Sequence, residues 1–199
     1  MRQWIRFSIL PTILLVISVN AHAEYNGYYL GLGLGQSSFQ LNESNIVTDY
    51  VQLSSASSFT DSASSFNFYG GIPFDEYLSL EFDIVLSGDI AAREGNQKIK
   101  LFDVSTLAVT AMLSKPVSEN MKLFGRLGAH MWDISESSSG LQTINNAVDI
   151  TIGFGADINV YGDQSRQLRV QWNHYEYDGI YIDNNDILSI SLLFQLGGS

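Results

Sequence analysis

The 199 residues contain no cysteine, which excludes a disulfide framework, thiol chemistry and the small disulfide-stapled class of secreted module. Proline occurs only three times. No Pro-rich or Gly/Ser-rich linker divides the chain, and its length is that of a single domain. Basic residues are scarce, 10 Lys and Arg against 21 Asp and Glu, for a net charge of -11. Nucleic acid needs a basic surface, so it is not expected as a partner. Beyond residue 24 no apolar run reaches the roughly 20 residues of a spanning helix, and no repeat of solenoid length is found. A place in a membrane would require a closed barrel, the other way to pair every backbone polar group in lipid.

The apolar run that does exist lies at the N-terminus. Arg2 and Arg6 precede the short stretch Ile9 to Val19, and Ala21-His22-Ala23 follows. This is the pattern of an export signal cleaved after Ala23. The expected division is a signal peptide at 1–23 and one domain at 24–199. Loss of Arg2 and Arg6 would take the charge from -11 to -13.

The rest of the chain alternates. In Tyr77 to Ser87, Leu78, Leu80, Phe82, Ile84 and Leu86 share one face of an extended chain. Ser79, Glu81, Asp83 and Ser87 share the other, with Val85 the exception. Side chains alternate across a strand, so this segment has one apolar and one polar face. The pattern recurs in Tyr28–Gly35, Ser65–Ile72, Ser105–Ser114, Leu123–Trp132, Val148–Asn159, Leu168–Tyr177 and Leu188–Leu196, where Leu193 breaks it. That makes eight strands. Gly31, Gly33 and Gly35 lie opposite the leucines of the first. No strand precedes these glycines and no helix follows, so they read as close approach inside a crowded barrel rather than a nucleotide loop. Polar stretches at 40–64, 88–97, 133–146 and 178–185 read as long loops, and Pro73–Glu76, Lys115–Asn120 and Gly162–Arg166 as short turns.

Long loops alternating with short turns are the mark of a transmembrane barrel with its apolar faces turned to lipid. Turned inward, so many large apolar side chains would overfill eight strands. The expected fold is therefore all-β, an eight-stranded antiparallel up-and-down transmembrane β-barrel. Its polar faces carry Glu81, Asp83, Arg126, Asp157 and Arg169. Counted from the short turns, Glu81, Arg126, Asp157 and Arg169 lie at one depth, roughly 8–13 Å in at about 2.5 Å of rise per tilted residue. Buried charges must pair, so two arginines meeting two or three carboxylates in one interior layer is the expectation.

Several segments, in this order and spacing, resemble the OmpA-type transmembrane β-barrel family. They are Gly-Leu-Gly-Leu-Gly35, Tyr77-Leu-Ser-Leu-Glu-Phe82, Leu107-Ala-Val-Thr-Ala-Met-Leu-Ser-Lys-Pro116, Phe124-Gly-Arg-Leu-Gly-Ala129 with Trp132, Gly155-Ala-Asp157 and Leu188-Ser-Ile-Ser-Leu-Leu-Phe-Gln-Leu-Gly197. The resemblance implies the bacterial outer membrane as the location, with outer-membrane lipids and lipopolysaccharide as surroundings. It implies an interior salt-bridge network at Glu81, Arg126, Asp157 and Arg169. One family lysine of that network falls at Met112 here, which removes a partner from any gate-like exchange of ion pairs. The last strand resembles the signal read by the outer-membrane assembly machinery, with Leu196 where an aromatic is usual. Larger members carry a peptidoglycan-binding domain after the barrel, and with the chain ending at Ser199 none is expected.

Three functions are compatible with this reading. The first is a filled barrel with a structural or surface-recognition role, reaching an extracellular partner through its loops. Asp61, Asp89, Glu94, Glu136, Asp178 and Asp183 lie in those loops, without the ligand spacing of a calcium site. The second is a narrow porin-like channel lined by Asn67, Thr110, Thr151, Gln171 and Asn173. The third is a lipid-modifying enzyme. His174-Tyr-Glu176 invites comparison with a His-x-Ser motif, but the serine is missing, and His130 has no readable Ser or Asp partner. No catalytic residue, cofactor or metal is expected. Tyr28, Phe74, Tyr77, Trp132, Trp172 and Tyr175 read as an interfacial girdle.

Overall fold

The computed structural model describes residues 27–49, 53, 57–136, 148–160, 163–179 and 181–196. The signal segment 1–23, most of the loop at 133–146 and the start of the turn at 162–166 lie outside these. The described residues form nine strands and one short helix: β1 (Tyr28–Leu41), α1 (Glu43–Asp49), β2 (Ser58–Thr60), β3 (Ser62–Pro73), β4 (Leu78–Glu94), β5 (Gln97–Ser118), β6 (Met121–Glu136), β7 (Val148–Val160), β8 (Asp163–Glu176) and β9 (Ile182–Leu196). Every pairing is antiparallel. The strands run β4-β3-β1-β9-β8-β7-β6-β5, and β4 pairs back with β5 to close a ring of eight. β2 is a ninth, three-residue strand that pairs with β4 along the same edge as β3 and, past Asp61, continues the line of β3 at the loop end.

The short turns follow from local chemistry. Asp75 accepts hydrogen bonds at Oδ1 from the backbone N–H of Tyr77 and Leu78, both at 2.7 Å, and so closes the β3–β4 turn. At the opposite end Gly95 has φ 61°, which L side chains rarely adopt, and it lets β4 and β5 join through two residues. Gly88 to Gln97, expected as a loop, is therefore strand almost throughout. The expected loop at 40–64 likewise holds the end of β1, α1, β2 and the start of β3.

Through the middle of the ring the outer face is apolar and exposed, with Leu32, Leu34, Phe68, Leu86, Leu127, Ile152, Phe154, Leu188 and Ile190 among its members. The inner face there is polar, with Asn67, Thr110, Thr151, Gln171, Asn173 and Ser189 buried. Beyond Ser87 this polarity inverts. The register of β4 against β5 shifts between Ser87 and Ile90 and again between Ile90 and Ala91. Past that point Ile90, Ala92, Leu101 and Phe102 are buried while Asp89, Arg93 and Lys98 are exposed. An apolar cluster fills this loop end of the ring, joining Phe39, Val104, Trp132, Tyr175, Tyr177, Tyr181 and Ile187, with Ile46 of α1 and Leu53 packed into it.

This corrects the girdle expectation. Tyr28, Phe74 and Tyr77 are exposed at the turn end, but Trp132 at 5% and Tyr175 at 0% exposure are interior.

Candidate functional site

Three aromatic rings surround one guanidinium at the turn end of the interior. Arg169 Cζ lies 5.6 Å from the Tyr29 ring centroid, 5.2 Å from Tyr69 and 4.5 Å from Phe124. Each ring sits over a glycine on the neighbouring strand. Tyr29 pairs with Gly71, Tyr69 with Gly31 and Phe124 with Gly155. A Cβ at Gly31 would come within 2.1 Å of the Tyr69 ring, at Gly71 within 2.1 Å of Tyr29, and at Gly155 within 2.6 Å of Phe124. The missing side chains are the space in which the rings lie. A desolvated cation–π contact of this kind contributes about 2 kcal/mol.

The same guanidinium is held by acids. Arg169 donates to Asp157 through Nε at 2.6 Å and Nη2 at 2.8 Å, a two-pronged pair. It also donates through Nη1 to Glu81, which accepts a further hydrogen bond from the Tyr29 hydroxyl. The remaining Nη2 contact is 3.6 Å to Met112 Sδ, the position of the family lysine. Arg126 is the second cation. Its Nη1 lies 3.2 Å from Glu81 Oε2, and Nη2 donates to Asp83. Glu81 thus links both arginines, and the five charged side chains are almost wholly buried. Breaking one partner out of such a layer leaves a bare buried charge, at a cost of about 3–5 kcal/mol.

Between this layer and the apolar cluster lies a polar zone. The Asn67 amide, Thr110 Oγ1, Gln171 Oε1, Asn173 Oδ1 and Arg126 Nε have no hydrogen-bond partner in the structure. Gly153 makes room here, since a Cβ would meet Asn173 Oδ1 at 2.2 Å and Arg126 Cγ at 3.1 Å. Above, the His130 ring packs edge-on against Tyr175 and Tyr177, at 5.2 Å from each, and Trp132 packs on Tyr177 at 5.0 Å. Trp132 Nε1 donates to Asp149 at 2.8 Å and the Tyr177 hydroxyl lies 3.0 Å from Thr106 Oγ1, which ties the aromatic layer to the wall.

The other described histidine faces outward. His174 Nδ1 is 2.8 Å from Asp186 Oδ1 across β8 and β9, and Trp172 stacks on the imidazole at 5.9 Å. Sequence reasoning missed Asp186, because only the register shows that it pairs with His174. A base and an orienting acid are present, but the cross-strand neighbours of His174 are Ile152 and Asp186, and neither offers a hydroxyl or thiol for that base to activate. The loop acids are scattered. Asp89 binds Lys100 at 2.5 Å, and Glu94 accepts from Ser57. Among the described residues no three His, Cys, Asp or Glu side chains are placed to hold a metal.

A closed ring with a lipid-facing apolar belt and a charged, filled interior defines a small membrane β-barrel. The chain belongs to the outer membrane protein beta-barrel domain family, which matches residues 9–195, and it is a protein of the bacterial outer membrane. A search of curated proteins finds no match. Among solved structures the chain is similar to Neisserial surface protein A, at 11% identity over 84% of this chain and 96% of that one, TM-score 0.61. It is similar also to the N-terminal β-barrel domain of Pseudomonas aeruginosa OprF, at 10% identity over 85% and 99%, TM-score 0.55. A third is Ail, the attachment invasion locus protein of Yersinia pestis, at 16% identity over 85% and 99%, TM-score 0.53.

Proposed function

We propose that this protein is a sealed, non-enzymatic barrel that holds a rigid platform at the cell surface for structural or recognition purposes. The observation that carries this is the double closure of the interior. The Arg169 cage fills the turn end, and the Trp132–Tyr177 cluster with its α1 cover fills the loop end. An eight-stranded ring has little lumen beyond its own side chains, and here two separate layers occupy it. The long strands β4 and β5 carry the apolar core beyond the lipid belt, which makes the loop end a stiff surface suited to contact. Ail was solved in complex with the heparin analogue sucrose octasulfate, and a surface partner for this chain is an extension of that kind of role. The His174–Asp186 pair, with no hydroxyl or thiol on either direct cross-strand neighbour of the histidine, is read as an interfacial contact rather than a catalytic centre.

A narrow channel is the second reading, favoured by the unpartnered polar groups of the middle zone. Single-channel recording in a planar bilayer separates the two. The expected result is a folded, inserted and electrically silent protein. Discrete, reproducible conductance steps from protein whose folding is verified by a heat-dependent gel shift would replace the sealed barrel with the channel.

A further inference from the structure

We propose that the outward face of the β2–β4–β5 sheet, just beyond the lipid belt, docks the phosphorylated saccharide headgroups of lipopolysaccharide in the protein's own leaflet. Arg93 on β4 and Lys98 on β5 are direct cross-strand partners. Both are exposed, and neither has an ion-pair partner among the described residues. Like charges directly opposite each other on a sheet repel and destabilise the pairing. Asp89 attracts Lys98 from a distance but is bound to Lys100, so an anion between Arg93 and Lys98 would relieve the repulsion. Lys100 lies two residues along on the same face, anchored to Asp89 at 2.5 Å and Asp103 at 2.9 Å on its belt side. Ser58 pairs with Arg93, which brings a hydroxyl to the same row.

The neighbouring row, Phe59–Ala92–Ile99, packs on the interior cluster, so the cations stand on a fixed backing. Arg93, Lys98 and Lys100 are also the only basic residues in the sequence between 27 and 114. The remaining basic residues that are described lie in the interior layer or toward the turn end, and the charged residues of the stretches 40–64, 133–146 and 178–185 are all acidic. The basic side chains of this end therefore stand on one face only. That face points sideways from the barrel wall. At about 2.5 Å of rise per tilted residue it stands roughly 12–18 Å beyond Leu86, the last exposed apolar residue of β4. That is the saccharide zone of a surrounding lipid rather than the path of a soluble polyanion. Arginine and lysine together suit phosphate, and the contact should weaken with salt.

The proposal rests on the β4–β5 hairpin facing the cell exterior, and the test separates the two. Asn96→Cys in intact cells should react with a membrane-impermeant maleimide; no labelling would overturn both the placement and the docking. The full protein, reconstituted in phosphatidylcholine nanodiscs, is then titrated with phosphorylated lipopolysaccharide while the hairpin amide shifts are followed by NMR. In low salt, R93Q/K98Q should bind about tenfold more weakly, while K115Q at the turn end should match wild type. High salt should erase the difference. Folding of each variant is checked by its heat-dependent gel shift. Labelling at position 96 with unchanged affinity in R93Q/K98Q would overturn the docking alone. So would equal affinity for dephosphorylated lipopolysaccharide, or hairpin shifts produced only by a soluble sulfated saccharide.

Discussion

At the scale of single residues, the interior is built as much by missing side chains as by present ones. Gly31 and Gly125 make the contrast testable. A Cβ on Gly31 would strike the fully buried Tyr69 ring, which is pinned between Arg169 and the wall, while Gly125 has nothing within 4 Å. Gly31→Ala is expected to lower stability by about 1–3 kcal/mol, as overpacking does. Gly125→Ala should stay within about 0.5 kcal/mol of wild type. Reversible urea unfolding in lipid vesicles measures both. Shortening the ring with Tyr69→Leu should remove most of the Gly31→Ala penalty, since two residues in contact do not add independently. Equal effects at the two glycines would mean that strand flexibility, not the seat of the ring, is what these positions supply.

The elements show why part of this was legible in the sequence and part was not. A glycine alternating with leucines in β1 already signals close approach inside a ring, and the depth count from the turns puts Glu81, Arg126, Asp157 and Arg169 at the level where the structure gathers them. The sequence exceptions are also explained. Val85 and Leu193 break the alternation because they are interior apolar residues, Val85 in the loop-end cluster and Leu193 in the turn-end one. What was missed is the upper part of β4 and β5. The alternation there inverts, and the shift near Ile90 hides the new phase, so a segment with Asp89, Arg93, Glu94 and Lys98 reads as a charged loop. The cue was present in Ala92, Ile99 and Leu101, apolar residues in a charged stretch. This hairpin carries a pH prediction. A hydrogen bond from Asp103, then Lys100, holds the Asp89 carboxyl below its ordinary value of 3.8. Burial, then the hydrogen bond to Asp89, raises that of Asp103. On acidification Asp103 therefore takes up a proton first and donates to Asp89. The stabilisation from ionised Asp89 is present above its ordinary value and is lost only as pH falls through the lower folded one. Asp103 contributes in the opposite sense, gaining as pH falls through its raised value. Carboxyl carbon NMR should resolve the two titrations on either side of 3.8. In Lys100→Met the Asp89 titration should move upward, and an Asp89 carboxyl unmoved by the loss of Lys100 would contradict the bridge.

For the whole molecule, the order of the layers decides how it behaves as a barrier. The Arg169 cage and the Trp132–Tyr177 cluster lie at opposite ends of one lumen, with the polar zone between them. Two seals in series give a permeability set by the tighter one, so opening either alone should leave the barrel silent. Tyr29→Ala with Phe124→Ala thins the cage while keeping the Arg169–Asp157 pair. Trp132→Ala with Tyr177→Ala opens the upper layer. Each aromatic truncation costs about 3–5 kcal/mol, so folding of each variant is verified by its heat-dependent gel shift before recording. Both double variants are expected to insert without conducting, and the quadruple variant to show discrete steps. The unpartnered groups of Asn67, Thr110, Gln171 and Asn173 would then line a continuous wet path, as buried polar groups freed to meet water do. Conduction by one double variant alone would identify the single layer that carries the barrier and reduce the other to packing. A silent quadruple variant would move the barrier into the middle zone itself, where Arg126 and Asn173 crowd the space above Gly153.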